Sequence, residues 1–308
     1  MIENLDSFGI LIGSVLIASM PLLLAALGEL ITEKSGVLNL GVEGMMLIGA
    51  ISAFAVSHTF GNNFLGVMAG MLGAVAVSLI FSFLTQILMT NHVATGLALT
   101  IFCTGLSAML GKPFVGIGIE RIGKWEIPLL SDIPLIGPML FQNDPIIYFA
   151  LALTAATSYF LFKTKAGLIL RAIGDNHNVA HAVGYNVKLI RFCAISYGAM
   201  MAGMSGAYIS LIYTPQWTEG MTAGRGWIAL ALVVFSSWRP ARLFLGANIF
   251  GLILIAQLYL QALGVPISSQ IMSMAPYIAT IVVLVIISKN RYALQLNVPK
   301  CLGKIFHA

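Results

Sequence analysis

GELITEKSGVLNLGVEGMMLIGA, residues Gly28–Ala50, is the stretch on which the reading of this chain turns. It lies between two apolar segments yet carries Glu29, Glu33, Lys34, Asn39 and Glu43. Asn39 and Glu43 stand at the start of a run long enough to cross a membrane. On insertion scales a charged side chain near the bilayer centre costs about 3 kcal/mol or more, so such groups usually face a bundle interior or a water-filled path. Almost every other charge falls in a recognisable loop.

Composition sets the class. Of 308 residues, 59% are hydrophobic and 9% charged, and the mean hydropathy is +0.95. A soluble domain carries roughly 25% charged residues. The chain is therefore expected to be an all-α integral membrane protein, a polytopic helical bundle with residues 1–308 forming one transmembrane domain. Apolar runs of spanning length occur at 8–27, 38–57, 65–88, 92–111, 145–162, 191–212, 224–238, 243–263 and 272–288. They predict about nine transmembrane helices, within a range of eight to ten. The N-terminus, MIENLDSFGILIGS, lacks the basic region of a cleaved signal peptide. A net charge of +5 without a basic, aromatic-laced cluster argues against nucleic acid; lipid is the expected surrounding. Cys103, Cys193 and Cys301 show no pairing or metal spacing and read as two apolar fillers and a stray thiol.

The cations orient the chain. With the N-terminus outside, twelve Lys and Arg fall on the inner side and four (Lys112, Arg121, Lys124 and Arg225) on the outer side. The positive-inside rule then favours an outer N-terminus and a cytoplasmic C-terminus. On this scheme loop 112–144 is extracytoplasmic and the basic tail 289–308 is cytoplasmic, in solvent or against lipid headgroups. Residues 28–44 read either as a cytoplasmic loop or as a segment folded back into the bundle. Gly66, Gly70 and Gly73 in one run, and Gly198, Gly203 and Gly206 in another, are small residues that let helices approach closely. Trp227 and Trp238 bracket the seventh run as interfacial aromatics do.

The inner loop 163–190, KTKAGLILRAIGDNHNVAHAVGYNVKLI, is the longest cytoplasmic segment before the tail. Asp175 or Asn176 can cap a helix start. Val179, Ala180 and Val183 recur on one face, and Gly184 supplies the positive φ that ends such a helix. A short capped helix of this kind suits either a docking role or a plain connection. His177 and His181 have the i, i+4 spacing of zinc helices but no glutamate between them and no third ligand, so a solvated face is expected and no metal. GIERIGK, Gly118–Lys124, meets part of a phosphate-loop pattern but is followed by Trp125 and preceded by no strand signal. No catalytic cluster is expected.

Gly28–Ala50, Arg171–Leu211 (RAIGDNHNVAHAVGYNVKLIRFCAISYGAMMAGMSGAYISL) and Gly224–Pro240, supported by Asn91–Gly111 (NHVATGLALTIFCTGLSAMLG), together resemble the permease subunits of ABC importers. The resemblance is to the branched-chain amino acid and simple-sugar group. Within it, the chain is most similar to the shorter nucleoside or simple-sugar permease of systems that use a BMP-type binding lipoprotein.

The resemblance implies the ABC importer permease fold, a second related permease as heterodimer partner, and ABC ATPase subunits, which in some systems form one tandem-cassette chain. It also implies an extracytoplasmic substrate-binding protein or lipoprotein and a place in the bacterial plasma membrane. ATP and Mg would sit on the partner subunits, with no cofactor on this chain and no enzymatic activity of its own. Arg171, Gly174, Asp175, Asn176, Ala180, Val183 and Gly184 become candidates for coupling to the ATPase. Gly28–Ala50 becomes the translocation-lining segment, with Asn39 and Glu43, joined by Asn91 and Thr95, as path candidates. Glu43 either lines the path or pairs with Lys34 or backbone amides to fix the broken segment. A branched-chain amino acid permease shares this plan. An ion-driven transporter or channel would need a relay of buried titratable groups, of which only Glu43 qualifies, and a membrane enzyme would need a polar cluster that the sequence lacks.

Overall fold

A computed structural model describes residues 2–123, 125–126, 137, 141–264, 268–288 and 297–307. The helices are α1 (Ile2–Lys34), α2 (Val42–Phe60), α3 (Asn63–Ser82), α4 (His92–Gly111), α5 (Pro145–Lys163) and α6 (Lys165–Asp175). They continue with α7 (His177–Ala182), α8 (Val187–Tyr208), α9 (Arg225–Phe235), α10 (Pro240–Ala262), α11 (Ser269–Ser273) and α12 (Ala275–Ser288). α3 and α8 each run on into one π-helical turn, Phe83–Ile87 and Ile209–Tyr213. A two-residue antiparallel pair, Trp125–Glu126 with Gln142–Asn143, is the sheet among the described residues.

Among the described residues seven helices, α1 to α5, α8 and α10, are long and apolar enough to cross a membrane. The predicted runs at 224–238 and 272–288 become shorter apolar helices instead. α9 has 11 residues and is about 16 Å long, half the ~30 Å hydrocarbon core. Its start follows a glycine-bearing turn at Gly220–Gly224, and positive φ at Ser237 (51°) and Trp238 (55°) turns the chain away beyond its end. Hydropathy counts apolar residues and does not register such breaks.

Helix starts follow the sequence closely. Asn62, Asn91, Asp144, Thr164, Asn176 and Asn186 each accept backbone N–H bonds at the start of α3 to α8. α2 and α9 begin at Gly41 and Gly224, which have no capping side chain.

α8 is the central post. Its small residues admit three neighbours at backbone contact distance: Gly198 lies against Gly28 and Thr32 of α1, Gly206 against Met46 of α2, and Gly203 against Gly70 of α3. A methyl group built on Gly49 of α2 would stand 2.5 Å from Gly203, so the pair leaves no room for side chains. Hydroxyls add cross-helix bonds, from Ser205 to the Pro21 carbonyl (2.6 Å) and from Ser210 to the Ala50 carbonyl (2.9 Å). In lipid, where apolar contact alone does not drive association, close packing of this kind holds helices together. α4, α5 and α10 flank the bundle and keep broad apolar faces outward.

Gly118 of the GIERIGK stretch pairs with Gln216 as extended backbone, and Lys124 lies outside the described residues. So do most of loop 112–144 between 127 and 140 and the tail from 289 to 296. Residues 297–307 are not a solvated end. Cys301 and Phe306 are buried, and the Cys301 and Gly303 amides donate to the carbonyls of Gly174 (2.8 Å) and Gly36 (3.0 Å). Cys301 is a packed thiol rather than a stray one.

Candidate functional site

The sequence left open whether residues 28–44 form a loop or fold back. α1 continues through Gly28–Lys34, and the chain reverses at Gly36 with φ +88°. It then returns beside the last turns of α1, and the Asn39 amide donates to Glu29 Oε1 at 3.2 Å. Residues 37–41 are thus an unwound, enclosed segment inside the bundle. The Asn39 side chain accepts from the Gly41 amide (2.9 Å), shaping the entry to α2 in place of a local cap.

Glu43 sits one turn further on, buried, and meets the start of α9. Its Oε1 accepts from the Thr222 hydroxyl (2.5 Å) and the Gly224 amide (2.8 Å), and its Oε2 from the Gly226 amide (2.6 Å). A helix N-terminus offers free N–H groups and a positive dipole end, so a carboxylate is well matched there. Glu43 therefore caps α9 from across the bundle. Its partners are backbone amides and a hydroxyl, not Lys34, whose Nζ donates to the Asn297 carbonyl at 2.7 Å. Gly226 is small because a methyl there would press on the Glu43 backbone at 2.7 Å.

Asn91 and Thr95 are placed elsewhere. Asn91 is exposed and caps α4 through the amides of Val93 and Ala94. Thr95 is half-buried with its hydroxyl 2.8 Å from that of Thr90. Both lie on the stripe of α4 beside the one that touches the unwound segment. On the touching stripe Gly96 packs against Leu40 and Gly41, and the Thr100 hydroxyl donates to the Leu40 carbonyl at 3.0 Å. Asn39 and Glu43 thus lie buried at the entry to α2 with separate partners, whereas Thr95 faces a groove beside Ile80 and Leu84.

The coupling candidates divide between two helices. Arg171, Gly174 and Asp175 belong to α6; Asn176 caps α7, which contains Ala180, and Val183 and Gly184 follow it. Asn176, not Asp175, is the cap, through the Val179 amide. Gly184 has φ +100° and open space around it, so it is required for backbone conformation alone. Ala180 is buried, whereas Val179 and Val183 are 57% and 70% exposed. Arg171 stacks its guanidinium 5.2 Å from the Phe162 ring. Gly174 is buried where α6 meets the end of α1 at Lys34.

The expected solvated histidine face holds for His181, which is exposed, and is corrected for His177. His177 is buried and both rings meet Phe306 edge-on, at 5.2 Å for His177 and 5.4 Å for His181. Burial, then the charges of Arg191, Lys304 and His307, holds the His177 pKa below its ordinary value. The neutral ring accepts from Arg191 Nη2 at 3.1 Å, because a guanidinium can only donate. Among the described residues no cluster of His, Cys, Asp or Glu could hold a metal ion.

Two sites escaped sequence reading. Arg191 scored as a loop cation, yet it is 0% exposed and also donates to the carbonyls of Ser35 (Nε, 3.2 Å) and Lys304 (Nη1, 3.2 Å). The sequence pattern places Trp238 at the interface, yet it is buried with its Nε1–H on Glu33 Oε2 at 2.6 Å. The only hint in the sequence was that Arg191 opens an otherwise apolar run.

Residues 11–287 match the model of the family described as branched-chain amino acid transport system / permease component. The chain belongs to that family and is an integral membrane protein. It is 37% identical to the putative glucose ABC transporter permease protein TsgC13 of Haloferax volcanii, with 95% of each chain covered. It is 32% identical to the nucleoside ABC transporter permease protein NupC of Lactococcus lactis, covering 91% of this chain and 92% of that one. To the guanosine ABC transporter permease protein NupQ of Bacillus subtilis it is 30% identical, covering 89% and 91%.

Proposed function

We propose that this chain is the transmembrane permease subunit of an ATP-driven importer for nucleosides or simple sugars. Family membership and full-length relatives with those named substrates support the class. The observation that carries the mechanism is α7. It is a six-residue, side-chain-capped helix that buries one face on the protein and leaves Val179 and Val183 outward. It is the shape of a helix that seats in a partner's groove. In this reading α7 docks on the ATPase, ATP binding moves it, and the bundle alternates between inward- and outward-facing states. ATP and Mg reside on the ATPase; a second permease and an extracytoplasmic receptor complete the assembly. The end bearing α6, α7 and residues 297–307 is cytoplasmic, in keeping with the twelve-to-four cation bias.

In this reading solute passes along the unwound segment and the start of α2, with Asn39, Glu43, Asn91 and Thr95 as its candidate residues. Uptake of labelled nucleoside and of glucose by cells lacking and regaining this gene tests the substrate class. Gly184→Val, which forces a β-branched residue into φ +100°, is expected to cut uptake at least tenfold while membrane insertion is unchanged. Uptake that continues with no ATPase co-expressed would sink the importer reading.

A further inference from the structure

We infer that residues 297–307, pinned by Arg191, form a strut that transmits displacement of α7 to the unwound segment at Ser35–Gly41. The inference rests on the docking role proposed for α7.

Each joint of the strut is defined. On the α6–α7 side, the Cys301 amide holds the Gly174 carbonyl, and Phe306 packs between the rings of His177 and His181. Phe306 joins Ile173, Ala180 and Val187 in an apolar cluster separate from the main core. On the other side, the Gly303 amide holds the Gly36 carbonyl, and Lys34 Nζ holds the Asn297 carbonyl. Arg191 lies between the two. Its three bonded nitrogens reach Ser35 in the reversing turn, Lys304 in the strut and His177 in α7. The turn is built around it: a methyl on Gly36 would stand 2.8 Å from Nη2. From Gly36 the backbone leads to Asn39 and then to Glu43, which grips the start of α9.

A buried guanidinium loses a large hydration energy, and removing it would leave two carbonyls and an imidazole without their donor, so Arg191 contributes to stability as well as to position. Among the described residues no carboxylate pairs with Arg191. Two carbonyls and a neutral imidazole satisfy it, each from a different segment. A fork of fixed geometry with one tine per segment makes the three move as one body.

The test uses the assembled transporter in liposomes, with ATP hydrolysis and solute uptake measured separately. Phe306→Ala and Arg191→Met are expected to lower uptake per ATP at least tenfold while hydrolysis stays within twofold, and Phe306→Tyr to restore it. A proportional fall in both activities, or no change in either, overturns the inference. Cross-linking of Val183→Cys to the ATPase separates the two readings. Without a cross-link the docking role fails. With a cross-link and normal uptake per ATP in Phe306→Ala, the strut alone fails.

Discussion

Among the buried charges of the described residues, Glu43 and Arg191 are satisfied in opposite ways. Glu43 accepts from two amides and a hydroxyl at 2.5–2.8 Å, all from the single turn that begins α9. Arg191 donates at 3.1–3.2 Å to three segments far apart in the chain. The first joint locks one broken helix against another inside the bundle. The second gathers peripheral pieces at one end. The difference teaches that a buried charge can serve as a fixed hinge pin or as a tie between parts, and the number of segments it engages tells which.

Removing the hinge pin should have the largest effect. Glu43→Leu leaves the amides of Gly224 and Gly226 and the Thr222 hydroxyl buried without an acceptor, at a cost of about 3–5 kcal/mol. Glu43→Gln keeps acceptor capacity on one oxygen and should lose less than half of that. Thermal unfolding of the purified protein compares the two; equal losses would show that the charge, rather than the geometry of acceptance, matters.

Acid should loosen the tie. The folded-state pKa of His177 lies below its unfolded value, mainly through burial. The unfolded chain therefore takes up the proton first, so stability from this contact is present above the ordinary histidine pKa of about 6.5 and is lost as pH falls toward the folded value. Hydrogen exchange at α7 and residues 297–307 should rise between pH 7 and pH 5. His177→Gln, which keeps an acceptor without titrating there, should flatten the profile.

The smallest effect belongs to a cap outside both joints. Asn91→Ala removes the side-chain acceptor for two exposed amides at the start of α4 and should cost ~1 kcal/mol. A loss of transport far beyond that stability change would place Asn91 on the solute route.

Much of the fold was legible because its signals are local. Apolar run lengths marked the seven long helices, and Asn176 marked the start of α7. The glycines at 66, 70, 73, 198, 203 and 206 marked the helix contacts, and Gly184 marked the end of the short helix and its turn. The charges of Gly28–Ala50 announced a polar core segment. What holds them did not show: Glu43 and Gly226 are 183 residues apart, and Arg191 and Lys304 are 113 apart. Hydropathy also scored Arg191 and the tail as surface, because it weighs charge and not the partners that satisfy it. Sequence fixes which backbone and side-chain groups need partners and where each helix begins. Only the tertiary structure decides which distant groups meet that need, since a hydrogen bond across the bundle depends on packing that no local pattern encodes.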